Sequence, residues 1–343
     1  MKAVKWFSPG DMRVVEVEKP MPLPHEALIR IESVGVCGSD LHYFAEGHIG
    51  TTVITDPLIL GHEYAGIVEA VGAEGPTDLV GKRVAVEPGI PCLECEWCRK
   101  GHYNVCRNMV FPGGPPHDGA LCEYKTVHAG FCFPVPDTMT AAEAAMIEPL
   151  AVAVHTVELG RLRPGESAAI LGLGPIGLLT AQVAKHAGIG TLFGTDLHDY
   201  RVEAGKRCGV DVAFNAATHD TVETILDATG GRGVDVVFDC ARSTQTPALA
   251  CKVVVPTGRC VMTGISGSEE DPFPVSVVRR KELTVQWCRR FCFTYPRAIA
   301  LAASSKVDVR SLITHSFSLE ESLEAFNLVN DFKDNVLKVS IDL

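Results

Sequence analysis

A glycine-rich turn with the sequence GLGPIG, at residues 172–177, is the feature that most constrains how this chain folds. It follows the apolar run 168–171 and opens a helical pattern, and Asp196 ends the next apolar run. In such a strand–turn–helix context the glycines let the backbone approach a pyrophosphate at the helix N-terminus, and the acidic residue binds the ribose hydroxyls. Because a carboxylate repels a 2′-phosphate, the pattern predicts NAD rather than NADP. A purely structural glycine turn is the alternative.

The residues around this turn carry the predicted cofactor contacts. Arg201 is expected to pack on the adenine, with a surface position on its helix as the alternative. Between about residue 150 and residue 264, apolar runs alternate with helical patterns, which predicts a parallel doubly wound sheet. The predicted cofactor-binding residues are Gly172, Gly174, Pro175, Ile176, Gly177, Asp196 and Arg201.

The rest of the sequence has a different texture. A chain of 343 residues is long enough for two domains. Short apolar runs between Pro and Gly clusters predict a mostly β domain in the N-terminal part. The C-terminal part has helical patterns at 297–303 and 319–330 and a strand pattern at 336–341. These segments could extend the parallel sheet or return to the first domain, and periodicity does not decide.

The charge balance excludes some partners. The chain has 31 Lys and Arg against 42 Asp and Glu, a net charge of −11, with no basic run, which argues against binding nucleic acid or an anionic membrane. The start of the chain lacks the apolar stretch of a secretory signal. The longest uncharged run, 167–184, contains three glycines and a proline, which favours a strand, a turn and a helix over a membrane span. We therefore expect a cytoplasmic protein.

Thirteen cysteines are present, and in a reducing compartment metal binding explains them better than disulfides. Cys92, Cys95, Cys98 and Cys106 follow the spacing C-x2-C-x2-C-x7-C within the Pro- and Gly-rich segment 87–117. Four thiolates on so short a segment can hold one tetrahedral zinc ion, and a closed four-thiolate set predicts a structural role. An iron–sulfur cluster is the alternative, although the ferredoxin spacing differs.

A second metal site is predicted from dispersed residues. Cys37 follows an apolar strand pattern, His62 and Glu63 are adjacent in a Gly-rich segment, and Glu148 precedes a proline. Cys, His and Glu together match a catalytic zinc site that keeps one coordination position open. Each residue alone also has an ordinary explanation, such as a core cysteine, a turn histidine or a solvated carboxylate.

The chain resembles the zinc-containing medium-chain alcohol dehydrogenases, and within them the sorbitol (polyol) dehydrogenase branch, over essentially its whole length. The resemblance implies a GroES-like β-rich catalytic domain beside a Rossmann domain with a doubly wound parallel sheet. The implied bounds are 1–152 for the catalytic domain, 153–290 for the Rossmann NAD-binding domain, and 291–343 for a tail that returns to the catalytic domain. Besides the glycine turn and the four cysteines, it rests on the motifs at 35–43 (GVCGSDLHY), 61–66, 115–119, 148–150 and 314–315.

The resemblance also implies a role for each matching residue. The implied catalytic zinc ligands, with water as the fourth, are Cys37, His62 and Glu63. Glu148 matches a carboxylate that binds this water or the metal itself. Ser39 and His42 match residues that carry a proton outward from the reacting oxygen. The implied substrate-binding residues are Tyr43, Phe111, Glu148 and Arg290.

The implied activity is oxidation of a secondary hydroxyl of a polyol, such as sorbitol or xylitol, to a ketose, with hydride transfer to NAD. The resemblance further implies two zinc ions per chain, one catalytic and one structural, and a tetramer. Two departures concern substrate preference, because Phe291 stands where the branch often has Tyr, and Gly113-Gly114 replaces a Thr-containing loop. The alternatives are a threonine or short-chain alcohol dehydrogenase of the same superfamily, and a non-catalytic zinc- and nucleotide-binding protein.

Overall fold

The computed structural model describes all residues, 1–343, and resolves them into two compact units. The domain bounds implied above, 1–152, 153–290 and 291–343, refer to functional domains and stay a prediction. The first unit comprises Met1–Glu148, Tyr295–Ser304 and Val309–Leu343, and the second comprises Pro149–Thr294 and Ser305–Asp308.

The chain forms 18 β-strands and 11 α-helices, and none of the helices combines the length and the apolar composition needed to cross a bilayer. The strands are β1 (Lys2–Ser8), β2 (Asp11–Glu16), β3 (Glu26–Gly35), β4 (His48–Ile49), β5 (Thr52–Val53), β6 (Leu58–Ile59), β7 (Glu63–Val71), β8 (Arg83–Val86), β9 (Tyr124–His128), β10 (Cys132–Pro134), β11 (Ala168–Leu171), β12 (Leu192–Asp196), β13 (Val212–Asn215), β14 (Val234–Asp239), β15 (Val254–Met262), β16 (Thr284–Trp287), β17 (Ile313–Ser318) and β18 (Lys338–Asp342). The helices are α1 (Gly38–Glu46), α2 (Glu96–Arg99), α3 (Ala141–Ala145), α4 (Ile147–Gly160), α5 (Pro175–His186), α6 (Asp199–Arg207), α7 (Thr221–Ala228), α8 (Thr246–Val253), α9 (Val275–Lys281), α10 (Tyr295–Ala303) and α11 (Ser322–Asn330).

The second unit is built on a six-stranded sheet in the order β13-β12-β11-β14-β15-β16, in which all neighbouring strands are parallel. The central strand β11 is buried at all four of its residues, as expected for a sheet that is covered on both faces. On one side of β11 the next strands are β12 and β13, and on its other side they are β14, β15 and β16. This is the doubly wound arrangement that the alternating sequence pattern predicts, and the prediction is confirmed.

The first unit is β-rich, as predicted. Its largest sheet has the order β10-β8-β7-β3-β18-β17, with β9 also paired to β3. A smaller sheet has the order β2-β1-β6, and apolar side chains such as Trp6, Tyr64 and Phe326 belong to one core. Strands β3 and β7 are antiparallel, and their register places Gly35 opposite Glu63. This register decides which residues meet at the end of the two strands.

The C-terminal strand resolves the alternative that periodicity leaves open. Strand β18 pairs antiparallel with β3, with Ser340 opposite Gly35, and parallel with β17. Residues 338–342 therefore extend the β-rich sheet of the first unit and not the parallel sheet of the second.

The glycine-containing residues after Cys37 form helix α1, because the Asp40 carboxylate accepts a hydrogen bond from the Cys37 backbone N–H and closes the first turn. Gly47 then ends the helix in the left-handed conformation, with φ 76°. Helices α3 and α4 meet at Met146.

A buried carboxylate follows β8. The Glu87 side chain is 2% exposed, and its Oε1 accepts a 2.6 Å hydrogen bond from the Tyr103 hydroxyl. Burial raises the pKa of Glu87 to about 7 from an ordinary value of 4.5, although the Tyr103 hydrogen bond acts in the opposite direction. Because the folded state holds this proton more tightly than the unfolded chain does, the contribution of Glu87 to folding stability falls as the pH rises from 4.5 to about 7.

Replacing Glu87 with Gln keeps an acceptor for Tyr103 and removes the buried charge. We expect Glu87→Gln to melt at a higher temperature than the wild type at pH 8, with the difference narrowing as the pH falls towards 5. The stabilisation at pH 8 is on the order of 3 kcal/mol at most. Thermal unfolding across this pH range measures it, with Glu96→Gln, at an exposed carboxylate, as the control. A difference that does not change with pH would contradict the assignment.

Candidate metal centre and dinucleotide site

Cys37, His62 and Glu63 lie together in the first unit. Cys37 follows β3 and caps α1, while His62 and Glu63 stand at the start of β7, and the register of the two strands brings these segments side by side. One ligand atom from each of the three residues lies within 4.8 Å of the other two. A side chain at Gly35 would collide with the Glu63 carboxylate, which explains the glycine there. A thiolate, an imidazole and a carboxylate are donors that zinc takes in catalytic sites.

Asp40 holds two of these residues in place. Its buried carboxylate accepts the hydrogen bond from the Cys37 N–H at 3.1 Å and lies 3.2 Å from His62 Nδ1. A hydrogen bond at Nδ1 leaves the Nε2 lone pair for a metal ion. Burial opposes a positive charge on His62, yet Asp40 and Cys37 raise the pKa of His62 well above its usual value. The local field therefore favours a cation, so the residues fit a divalent metal ion.

Lys338 places a positive charge beside the third donor. Its Nζ forms an ion pair with the Glu63 carboxylate and donates a 2.9 Å hydrogen bond to the Val36 carbonyl. The side chains of Lys338 and Glu63 are 4% and 1% exposed. Burial alone would lower the pKa of Lys338, but the charges of Glu63, Cys37 and Glu148 outweigh it and raise that pKa. Lys338 therefore offsets the negative charge of the donor set and fixes the position of the Glu63 carboxylate.

A short row of polar groups on α1 leads away from Cys37. Ser39 Oγ donates a hydrogen bond to Cys37 Sγ at 3.4 Å. His42 is one turn further along the same face of the helix and is buried. Its Nδ1 lies 3.4 Å from the carboxylate of Glu46, whose side chain is 46% exposed. The two residues predicted for proton transfer thus stand on one helix that ends in solvent.

The residues predicted to contact substrate divide between the two units. Tyr43 is a buried residue of α1, and the ring of Phe111 has its centroid 5.2 Å from that of His62. Glu148 is buried in the first turn of α4, and its charge acts on Lys338. Three of the four predicted contacts therefore lie in the same unit as the Cys–His–Glu set.

The fourth predicted contact, Arg290, lies in the second unit just after β16. It adopts a left-handed backbone conformation with φ 55°, and its carbonyl accepts a hydrogen bond from Cys288 Sγ at 3.4 Å. Such conformations are uncommon for residues other than glycine and occur often at functional sites. The following residue, Phe291, is buried. The role of Arg290 in substrate binding stays a prediction.

The four cysteines of the loop segment also converge. The Sγ–Sγ distances are 3.5 Å for Cys95–Cys98, 3.9 Å for Cys95–Cys106 and 3.4 Å for Cys92–Cys106, and none of these pairs is a disulfide. A tetrahedral zinc ion with Zn–S bonds of about 2.3 Å separates its sulfurs by about 3.8 Å. The backbone N–H groups of Cys92 and Asn108 each donate to Cys106 Sγ at 3.3 Å, as they would to a thiolate. The set fits zinc.

The glycine turn joins β11 to α5 at the carboxyl end of the parallel sheet. Gly172 adopts φ 92°, a conformation that favours glycine, and a Cβ at Gly177 would collide with the Gly172 carbonyl oxygen. Gly174 precedes the first residue of α5, Pro175, and no side chain caps the helix. The helix N-terminus therefore presents unoccupied N–H groups at the switch point of the sheet, which is where dinucleotide pyrophosphates bind.

Asp196 ends β12 with its carboxylate turned back to the glycine turn. Its Oδ2 accepts a 2.8 Å hydrogen bond from the Leu173 N–H, and its Oδ1 accepts one of 3.1 Å from the His198 N–H. Arg201 is predicted to pack on adenine, and in the structure its Nη1 lies 3.7 Å from Asp196 Oδ2. The turn, the carboxylate and the guanidinium are therefore together where the adenosine half of a dinucleotide binds in this fold.

Asp40 and Lys338 contact the donor set, although the sequence reasoning assigns no role to either. Asp40 stands three residues after Cys37 within the motif at 35–43, and this short spacing could have indicated that it contacts Cys37. Lys338 lies near the other end of the chain, and the sequence shows it only as a lysine within the strand pattern 336–341. Nothing in its local sequence connects it to Glu63.

Comparisons with known proteins agree with the fold. The family model of the alcohol dehydrogenase GroES-like domain matches residues 23–137, and the zinc-binding dehydrogenase model matches 175–304. The chain is 38% identical to the sorbitol dehydrogenase of Bacillus subtilis over 341 residues, which cover 99% of this chain and 97% of that protein. It is 37% identical to D-xylulose reductase A of Aspergillus oryzae over 328 residues, which cover 93% and 91% of the two chains.

A solved structure adds the cofactor class. A Sinorhizobium meliloti protein classed as a zinc-binding dehydrogenase and bound to NADP matches 100% of this chain and 99% of its own, with a TM-score of 0.91 and 30% identity. Fold and donor sets together define a dehydrogenase that uses zinc and a nicotinamide dinucleotide. The chain belongs to the zinc-containing medium-chain alcohol dehydrogenase family, in its sorbitol dehydrogenase branch.

Removing the charge of Lys338 should weaken metal retention. In Lys338→Met the buried Glu63 carboxylate loses its ion-pair partner and its fixed position, so we expect zinc to leave the Cys37–His62–Glu63 set at least about tenfold faster than in the wild type. Zinc release to a chelator, followed by a colorimetric indicator, measures this rate. Lys333→Met, at an exposed lysine near the same strand, is the control. Equal release rates in both variants and the wild type would show that Lys338 does not support the donor set.

Proposed function

We propose that this chain is a zinc-dependent polyol dehydrogenase that oxidises a secondary hydroxyl, for example of sorbitol or xylitol, to a ketose and passes a hydride to NAD. The observation that carries the proposal is the Cys37–His62–Glu63 set, in which His62 and Glu63 are buried and beside which Phe111 packs. Three donors leave a coordination position for a substrate oxygen, unlike the closed four-cysteine set. The names of the two curated relatives, a sorbitol dehydrogenase and a D-xylulose reductase, support the polyol class.

The proposal includes two zinc ions per chain. Cys37, His62 and Glu63 would hold the catalytic ion, with Glu148 as the neighbouring carboxylate that ligates it directly or through water. The four cysteines would hold a structural ion, because their donor set is complete without a substrate. Zinc bound at the first set supplies Lewis-acid chemistry that makes an alcohol far more acidic than it is in water.

The protein's own groups handle the proton and orient the substrate. A secondary alcohol releases a hydride readily only when its oxygen gives up its proton, so a path for that proton is needed. Ser39 would receive the proton and His42 would pass it on to solvent beside the exposed Glu46 carboxylate, 3.4 Å from His42 Nδ1. Glu148 and Arg290 would bind the remaining hydroxyls of the polyol.

We propose NAD as the cofactor instead of NADP. The Asp196 carboxylate is held by two backbone N–H groups beside the glycine turn, so a 2′-phosphate there would meet a fixed negative charge. Arg201 lies 3.7 Å from that same carboxylate, so its guanidinium is engaged by Asp196. The fixed carboxylate supports a ribose with free hydroxyls at this position.

The proposed assembly rests on the family, and the proposed location rests on the thirteen cysteines, none of which forms a disulfide. We propose a tetramer in the cytoplasm whose partner is a small-molecule substrate. The net charge of −11 supports neither nucleic acid nor an anionic membrane as a partner.

A substrate panel tests the proposed activity. We expect NADH to form with polyols that carry a secondary hydroxyl next to the chain end, such as sorbitol, xylitol or galactitol, and activity to fall when a chelator removes zinc. The increase in NADH absorbance measures turnover. Threonine and short primary alcohols serve as comparison substrates for the two related dehydrogenase activities. Turnover of primary alcohols or threonine without any polyol would contradict the proposal.

A further inference from the structure

Asp239 is a buried carboxylate at the carboxyl end of β14, and the proposed function gives it no role. The residue is 3% exposed. The register of the parallel sheet places Asp239 beside Leu171, the last residue of β11, and Gly172 of the glycine turn follows directly. Neighbouring strands lie about 4.8 Å apart. Asp239 therefore stands on the strand next to the one that carries the dinucleotide turn.

The Asp239 carboxylate fixes the segment on which the glycine turn packs. Its Oδ1 accepts a 3.1 Å hydrogen bond from the Ala241 backbone N–H. A Cβ at Gly172 would lie 2.9 Å from the Ala241 nitrogen and Cα, and a Cβ at Gly264 would collide with the Ala241 carbonyl oxygen. Ala241 is therefore packed between the turns that follow β11 and β15, and Asp239 holds it there.

No positive charge compensates this buried carboxylate. The groups that act on its pKa are the Ala241 N–H, the Thr246 side chain and the negative charge of Asp271. Burial raises the pKa of Asp239 to about 7 from an ordinary value of 3.8, and the charge of Asp271 acts in the same direction, whereas the two hydrogen bonds lower the pKa. Asp239 therefore gains or loses its proton near neutral pH.

The other titratable groups around β14 do not change this charge. Burial raises the pKa of Cys240, and a hydrogen bond with Cys251 together with burial raises that of Cys260, so both thiols are neutral at pH 7. Arg242 is exposed, and water and salt screen its charge. The basic residues on the elements that pack against β14 lie at the C-terminal ends of α5 and α8 or earlier in β15, namely Lys185, His186, Lys252 and Arg259.

We infer that Asp239 is a positioning residue for the dinucleotide, which holds Ala241 against the glycine turn and links dinucleotide affinity to the protonation of its own carboxyl group. This inference rests on the proposed dinucleotide site and not on the polyol substrate. The pyrophosphate binds at the N-terminus of α5, directly after the glycine turn, and brings negative charge there. A deprotonated Asp239 repels that charge, whereas a protonated one does not.

The sign of the pH dependence follows from this repulsion. A bound pyrophosphate raises the pKa of Asp239 above its value of about 7 in the free protein, because a second negative charge disfavours the carboxylate. Binding therefore takes up protons at and above neutral pH. Affinity for the dinucleotide is greatest below about pH 7 and falls as the pH rises through and above 7.

ADP-ribose is the probe for this effect, because it carries the adenosine and the pyrophosphate without the nicotinamide. Isothermal titration calorimetry of the zinc-loaded protein at pH 6 and pH 8.5 measures its affinity. We expect the wild type to bind ADP-ribose about three- to tenfold more weakly at pH 8.5, since a shift of one pKa unit on binding corresponds to a tenfold change in affinity. Buffers of different ionisation enthalpy at pH 7.5 then reveal the proton uptake.

Two variants separate the proton from the hydrogen bond. Asp239→Asn has nearly the same size, keeps an acceptor for the Ala241 N–H and carries no charge, so we expect pH-independent affinity close to that of the wild type at pH 6. Asp239→Ala also loses the acceptor, so we expect pH-independent affinity that is about fivefold weaker. Asp227→Asn, at an exposed carboxylate of the same unit, is the matched control and keeps the wild-type pH dependence.

Several results would overturn the inference. They are equal affinity of the wild type at both pH values, no binding of ADP-ribose, a pH dependence that Asp239→Asn retains, and an Asp239→Ala variant that binds as tightly as Asp239→Asn. If a variant does not fold, wild-type binding without proton uptake is sufficient to overturn it. Because no alcohol is present, failure of the polyol proposal appears only in the substrate panel and leaves this measurement unaffected.

Discussion

The structure around the site depends on the balance of charge in a donor set of which two members, His62 and Glu63, are buried. A thiol, a histidine and a carboxylate meet at the ends of β3 and β7, with the Asp40 carboxylate directly behind them. Buried negative charges are costly unless cations compensate them. One compensating charge is Lys338, which the C-terminal strand carries to Glu63, and a metal ion is the second that the donor chemistry calls for. The return of the tail to β3 is therefore part of the site and not only of the fold.

The same need for charge balance explains which elements of the fold position which residues of the site. Rigid strands fix Glu63 and Lys338 through sheet register, while helix α1, which Cys37 caps, carries Ser39 and His42 from the donor set towards solvent. The four-cysteine loop needs no such support, because its donors lie within a short segment and a metal can organise that segment by itself. The dinucleotide turn is equally local, since its glycines and Asp196 come from consecutive strands of one parallel sheet.

The sequence predicts those parts of the structure that depend on residues close together in the chain better than those that depend on distant residues. The glycine turn, the doubly wound sheet and the four cysteines have short spacings with a direct physical meaning, and the observed geometry agrees with each. The Cys37–His62–Glu63 grouping could be predicted from residue types in separate segments, and the resemblance gave each residue its role, but the geometry depends on the β3–β7 register, which the sequence does not show. The ion pair of Lys338 with Glu63 could not be anticipated at all, since a buried lysine has no local signature. Helix α1 could not be predicted, because its glycine and serine are poor helix formers. Its first turn is closed by the Asp40 side chain, which belongs to the motif itself.

The most direct test of the account follows the hydrogen atom. Wild-type enzyme and Cys37→Ser are each incubated with NAD and with sorbitol that carries deuterium in place of hydrogen on every carbon. The reduced cofactor is then analysed by mass spectrometry. The account predicts that the wild type transfers one deuterium to the nicotinamide ring, while Cys37→Ser still binds NAD and transfers almost none. Reduced cofactor without deuterium, or equal transfer by Cys37→Ser, would contradict a hydride transfer that depends on the Cys37–His62–Glu63 set.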